Sequence, residues 1–250
     1  MKKLIFIFAV LMSVSGAVTS QNNPLKKAND LYSRGDYEGA AVAYEQIIKE
    51  QGVAPELYFN LGNAYYKLNE TGKSILNYER ALRLDPSYDD ARFNLNLAGQ
   101  KVVDNVVQVP SFFLVRWLDI LTKQFNSNQW FVVSLTIFIL SLVGFLIFVF
   151  GVDVRLRKLS FYIAGVFLGA ALVTLFFSGI RKNQLMGHKE AVIMSGVIVV
   201  KSSPDKSGTD LFQLHEGTKV KVKSSLGEWT EIVVGNGGVG WVENNAIEKI

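Results

Sequence analysis

No cysteine occurs in the 250 residues, and that absence removes disulfides, thiolate metal sites, a cysteine nucleophile and a lipoprotein anchor together. Histidine is nearly as scarce. His188 and His215 are the only two, and neither has an Asp or a second His at ligand or triad spacing. GxSxG, P-loop and HExxH patterns are missing as well. The expectation is therefore a non-enzymatic chain without cofactor or metal. The formal charge is +4, and removing Lys2 and Lys3 leaves +2. That surplus is slight, and no basic stripe interleaved with aromatics accompanies it, so nucleic acid is not an expected partner.

Charge is also missing from two long stretches, residues 131–152 and 159–180. At 1.5 Å per residue each makes a helix of roughly 30 Å, the thickness of a hydrocarbon core. Two spans cannot close a barrel, so a transmembrane helical hairpin is expected, embedded in the lipid bilayer. Two core helices of a large soluble domain would need more flanking sequence than the chain has. The turn at 153–158 carries Arg155, Arg157 and Lys158 against Asp153, which assigns it to the cytoplasm. Arg181 and Lys182 at the far end of the second span soften that bias. Residues 1–20 supply a second indicator: two lysines, an apolar run and small residues, the layout of a signal peptide. Both indicators put the flanking domains outside. Neither span holds an ionisable residue, so a pump or ion pathway has nothing to work with. Gly165 and Gly169 make a small-residue face of the GxxxG kind, expected to meet Gly144 of the first span.

Between 21 and 107 the chain repeats itself. Residues 28–37 align with 62–69 at an offset of 34. Ala28 then pairs with Gly62, Leu31 with Tyr65, Ala40 with Ser74, Tyr44 with Tyr78, and Ile47 with Ala81. This period and its alternation of small and large side chains resemble tetratricopeptide (TPR) repeats. Pro86 ends the second copy. A third copy begins at Asp89 with Leu95 in register with Leu61, and it continues as one helix, 89–107, read as the cap of the array. Such an array presents a concave groove to a peptide or partner helix. By the motif, Asn29, Tyr32, Phe59, Asn63, Tyr66, Lys67, Phe93 and Lys101 line it. A carboxylate clamp is rejected: Asn29 and Asn60 fit it, but Leu25, Asp90 and Asn94 stand where basic groups are required. The groove is favoured as a protein-binding site because aromatics and amides unpaired on a concave face would have no packing role.

Residues 108–130 form a juxtamembrane segment. Arg116, Asp119 and Lys123 fall on one helical face, and Phe113, Trp117, Ile120 and Leu121 on the other. With Trp130 at the entry, this suits a lipid interface; docking on the repeat cap is the alternative. Asn126, Ser127 and Asn128 cap the first span. From 190 to 250 the period becomes two, with turn signals between short strands. About five strands and a small barrel are expected. Residues 211–220, Gly227-Glu228-Trp229 and Val239-Gly240-Trp241-Val242 resemble a bacterial SH3-like domain. Such domains commonly bind cell-wall peptide or protein, which makes Trp229 and Trp241 candidate ligand contacts. A core role for both is favoured, because a partly buried Trp is the common case.

Signal peptide, short TPR array, two spans and SH3-like barrel together resemble the BatE-type proteins of bacterial aerotolerance operons. Leu61-Gly62-Asn63-Ala64-Tyr65, Asp85-Pro86 and the tail 211–242 carry the resemblance. It implies an inner-membrane protein, with both terminal domains periplasmic, working beside von Willebrand A-domain membrane proteins and a MoxR-type ATPase. The expectation is thus a multidomain membrane protein acting as adaptor or scaffold through its repeat groove. The alternative is a cell-wall sensor or tether whose SH3-like domain binds peptidoglycan.

Overall fold

Two short turns, 34 residues apart, set the frame of the N-terminal half. Gly35 (φ +83) and Asn69 (φ 63) both take the left-handed conformation, which Gly adopts freely and Asn tolerates best among the rest. Each joins two antiparallel helices. The computed structural model describes residues 24–104, 112–187 and 190–250; the expected signal peptide at 1–20 lies outside them, as do His188 and residues 105–111. The helices are α1 (Pro24–Ser33), α2 (Tyr37–Gln51), α3 (Pro55–Lys67), α4 (Thr71–Leu84) and α5 (Asp89–Gly99). Asp36 caps α2 by accepting from Gly39 N–H at 2.9 Å, and Pro55 opens α3, where its missing N–H is harmless. The aligned positions are interior: Ala28, Ala40, Ser74 and Ala81 are 0% exposed, Tyr78 1% and Tyr44 2%. Small residues thus sit where helices touch. The third copy's helix differs from expectation, because α5 stops at Gly99 and the chain turns through Val102 rather than running helically to 107.

The C-terminal segment forms strands β1 (Glu190–Ile193), β2 (Val197–Lys201), β3 (Asp210–His215), β4 (Lys219–Leu226), β5 (Trp229–Val234), β6 (Val239–Glu243) and β7 (Ile247–Lys249). They pair in one antiparallel sheet of order β3-β2-β6-β5-β4-β1-β7. Two corrections follow. The sheet has seven strands instead of about five, and it is open, since β3 and β7 stand at its two ends and do not pair with each other. β1 and β7 contact the repeats, through Val192 and through the Arg80 bonds to Glu248 and Lys249 O. Alternation puts Thr230, Ile232, Val234 and Val242 inward, and Ile193, Val200, Leu214 and Val220 complete that core.

Sheet and repeats share a core. Ile75, Leu76 and Tyr78 of α4 and Ala98 of α5 pack with Val192 and Ile250. In a regular array the second helix of a third repeat would cover that face of α4 and α5. Here the sheet covers it, so the cap assigned to the third-copy helix is completed by the β domain. Gly217 (φ +85) allows the approach: a Cβ there would lie 2.9 Å from both Ile75 Cδ1 and Val102 Cγ2.

Between the two lie α6 (Phe113–Thr122), α7 (Ser127–Phe150) and α8 (Val154–Met186). Asn126 caps α7 in a capping box with Gln129. Asp153 caps α8 by accepting from Arg155 N–H at 2.7 Å, so the basic residues expected in a six-residue turn already lie inside a helix. Both helices are long and apolar enough to cross a membrane, and only 11% and 17% of their most apolar windows are buried. A core helix of a soluble domain would be mostly covered. Their mutual contact is a polar seam. Ser134 Oγ donates to Ala171 O and Ser141 Oγ to Ala164 O, each at 2.8 Å, while Ser127 Oγ lies 3.3 Å from Ser178 Oγ. Gly144 meets Ala164 there, but positions 165 and 169 face open space. The expected contact of Gly165 and Gly169 with Gly144 is therefore corrected: the serines and alanines spaced seven apart form the seam.

Candidate functional site

The first helices of successive repeats, α3 and α5, stand side by side and carry most of the expected groove. Asn63 joins them, accepting from Tyr78 Oη–H at 2.7 Å and from Asn94 Nδ2–H at 2.8 Å. One period earlier Asn29 accepts from Tyr44 Oη–H at 2.7 Å. The two amides are therefore not unpaired, which corrects part of the case for a groove. They tie the first helix of each repeat to its second. Burial pushes both hydroxyls up to about 12, so they stay protonated donors.

The other six groove residues divide by exposure. Phe59 is half-buried, its ring 5.0 Å from that of Tyr88 and 6.1 Å from Tyr78. Tyr32 is half-buried and meets Tyr37 edge-on at 5.2 Å. Tyr66 packs partly into the shared core, with Lys101 Nζ 4.0 Å above its ring and 3.1 Å from Asn69 Oδ1. Lys67 is exposed. Phe93 is 70% exposed, and Leu97, one turn on, is 38% exposed. What faces solvent is thus a shelf on α5, bordered by the Tyr66–Lys101 stack.

Trp229 and Trp241 lie together on the face of the sheet opposite its core. β5 and β6 pair Trp229 with Glu243 and Glu231 with Trp241, and both indoles are half-buried. The favoured core role is corrected, because the inward positions go to Thr230, Ile232 and Val242.

A charged junction between repeats and sheet has no counterpart among the sequence expectations. Asp104 accepts from His215 N–H at 2.7 Å and Thr218 Oγ–H at 2.6 Å, and its other oxygen lies 2.7 Å from His215 Nδ1. Burial would raise this carboxyl, but those bonds outweigh it and hold it below its ordinary value. Lys219 bridges Glu79 at 2.8 Å and Glu190 at 2.9 Å. Burial would lower its ammonium, and the two carboxylates more than reverse that. Arg80 donates to Glu248 and to Lys249 O, Gly72 N–H to Glu216, and Arg83 to the carbonyls of Ile250 and Leu185. His215, without an Asp at ligand or triad spacing in the sequence, is a junction residue with an acidic neighbour 111 positions away. The pair is no triad: the nearby hydroxyl, Thr218, bonds the carboxylate rather than the imidazole. One signal was available. Where the first copy has Gln46 and Lys49, the second has Arg80 and Arg83. That contrast marks a face with a partner.

Comparison with known proteins agrees on the repeats. The tetratricopeptide repeat family matches residues 25–89. A TPR repeat-containing protein of Methanocaldococcus jannaschii is 30% identical over 113 residues, 44% of this chain and 20% of the relative. A TPR repeat-containing thioredoxin of Arabidopsis thaliana is 33% identical over 81 residues, 32% of this chain and 12% of the relative. The chain spans a fifth or less of these curated relatives, and the likeness is one of repeats.

Proposed function

We propose that this chain is a membrane-anchored, non-enzymatic adaptor whose repeat groove holds a protein partner. The observation carrying the proposal is the apolar shelf of Phe93 and Leu97 on a helix held from behind by the sheet. An exposed aromatic on a helix whose other side is packed suits an interface anchor, because burying such a ring carries much of the energy of protein interfaces. The pair α7–α8 supplies the anchor as two spans. The basic residues at 155–158 favour a cytoplasmic hairpin tip, with both folded domains on the periplasmic side of a bacterial inner membrane. The resemblance to BatE-type proteins suggests von Willebrand A-domain proteins and a MoxR-type ATPase complex as partners. Phe93→Ala should fold normally and bind the co-purifying membrane partner about tenfold more weakly, since ~1.4 kcal/mol corresponds to that factor. Co-purification in detergent with titration checks it; unchanged binding by the folded variant removes the groove from the adaptor role.

A second reading has its own observation. Trp229 and Trp241 are adjacent on a partly open sheet face, as a wall-binding SH3-like domain would use them. Pulldown on purified peptidoglycan separates the two: binding lost in Trp241→Ala but kept in Phe93→Ala favours the tether.

A further inference from the structure

Helix α6 keeps its apolar side uncovered by the repeats, the sheet and the apolar helix pair. Phe113 is 67% exposed, Leu114 48%, Trp117 57%, Leu118 45% and Ile120 51%. At 3.6 residues per turn these five share one side of the helix, with Leu114 and Ile120 set roughly 60° to either side of Trp117. The alternative expected for α6, docking its apolar face on the repeats, is not what these exposures describe. They resemble those along the helix pair, where Leu135 and Leu142 of α7 are 47% and 49% exposed and Leu168 of α8 43%. Contiguous apolar surface of this kind marks a face that meets something other than water.

The C-terminal end of α6 is fixed at the mouth of the helix pair. Trp130 Nε1–H donates to Thr122 O at 3.0 Å, and both residues are buried. The same indole meets Phe125 and Phe177 of α8 edge-on, each with ring centroids 5.1 Å away. The uncharged stretches begin at 131 and end at 180, so this aromatic cluster stands at the level where the apolar surface of the pair ends. Only residues 123–126 separate α6 from α7. Ile120 also lines a cavity with Arg181 and Leu185, which lie just past the apolar part of α8. The uncovered face of α6 therefore starts where the uncovered surface of α7 and α8 stops, and what covers one would meet the other.

We propose that α6 lies flat in the headgroup boundary of the bilayer, on the side of both folded domains, with Trp117 turned toward the acyl chains. This rests on the reading of α7 and α8 as membrane spans. Amphipathic helices of this kind sink their apolar face roughly 5–10 Å into that boundary, where Trp is enriched. Because β1 begins at Glu190, shortly after α8 ends at Met186, α6 and the second span together would hold the repeat–sheet unit against the membrane surface. The cysteine-free chain allows single nitroxide labels in the full-length protein, reconstituted in phosphatidylethanolamine–phosphatidylglycerol vesicles. Leu114→Cys, Arg116→Cys, Ile120→Cys and Leu140→Cys are labelled, and power saturation against oxygen and a water-soluble nickel chelate reads their depths. Labels at 114 and 120 should lie at one depth, beneath the phosphates. The label at Arg116, roughly 100° round the helix from Trp117, should stay open to nickel. A helix standing away from the membrane would separate 114 from 120 by roughly 9 Å in depth, which overturns the proposal, as does nickel access at both. Protection from both reagents with spin–spin broadening between chains gives the face to a second copy and overturns the lipid assignment. Leu140, mid-way along α7 and 49% exposed, keeps the two failures apart. A label there open to nickel removes the spans and the α6 placement with them, whereas one in lipid beside nickel-open labels at 114 and 120 removes the α6 placement alone.

Discussion

At Gly62 a single methyl group decides whether two helices can meet. A Cβ there would lie 2.7 Å from Tyr78 Cδ1 and Cε1 and 3.3 Å from Ser74 O. Tyr78 cannot retreat, because it is 1% exposed and its hydroxyl is committed to Asn63. Gly62→Ala should therefore destabilise the array by about 1–3 kcal/mol, the usual range for overpacking. Gly62→Leu should prevent stacking altogether. Gly99 is the matched control, also helical but with nothing within 4 Å of where a Cβ would stand; Gly99→Ala should be neutral or stabilise by up to ~1 kcal/mol through helix propensity. Thermal melts of the three variants in one detergent check the ordering. A Gly62→Ala chain as stable as Gly99→Ala would mean that α3 and α4 are further apart than described.

Among the elements, the pair α7–α8 is specified by its seam rather than by hydrophobicity, which both helices carry all round. In the proposed membrane setting lipid tails are as apolar as leucine, so apolar faces alone would select no partner, whereas small residues and serine hydroxyls would. Absent cysteines make the seam directly testable. A Ser127→Cys/Ser178→Cys chain places two thiols where the hydroxyl oxygens lie 3.3 Å apart, and no native thiol competes. Mild oxidation should cross-link this pair within one chain. Gly144→Cys/Gly165→Cys, the contact expected of the glycine face, should not, since Gly144 meets Ala164 and position 165 faces open space. Mobility on a non-reducing gel after cleavage between the helices reads the result. Preferential cross-linking of the second pair would restore the glycine face as the seam.

For the whole molecule, the junction makes repeats and sheet one cooperative unit. Asp104 receives three hydrogen-bond contacts from His215 and Thr218. Its folded value lies below the ordinary 3.8, so its contribution is complete above that value and is lost as pH falls through the folded one. Acid should therefore loosen the docked sheet below about pH 4. Asp104→Asn should lower stability at neutral pH by about 1–3 kcal/mol, because it puts an amide N–H among donors. It should also flatten the acid limb. Melting followed from pH 7 to 3 in both proteins checks this; parallel acid limbs would mean that another group governs docking.

Local pattern made the repeats and the two apolar helices readable from the sequence. The 34-residue offset already aligns Tyr44 with Tyr78 and Asn29 with Asn63, and the aligned residues make equivalent hydrogen bonds, Tyr44 to Asn29 and Tyr78 to Asn63. Strand alternation likewise announced the C-terminal β segment. Three things had no local signature. The register of α7 on α8 depends on which of several small residues face each other, and composition ranks glycine above serine without knowing the rotation. The docking of β1 and β7 on the repeats is a contact spanning more than a hundred residues. Asp104, His215 and Lys219 read as isolated surface charges until the fold brings them together. Hydrophobic period is a property of neighbours in sequence and survives without a fold, whereas complementarity between distant charges exists only once both surfaces have been built.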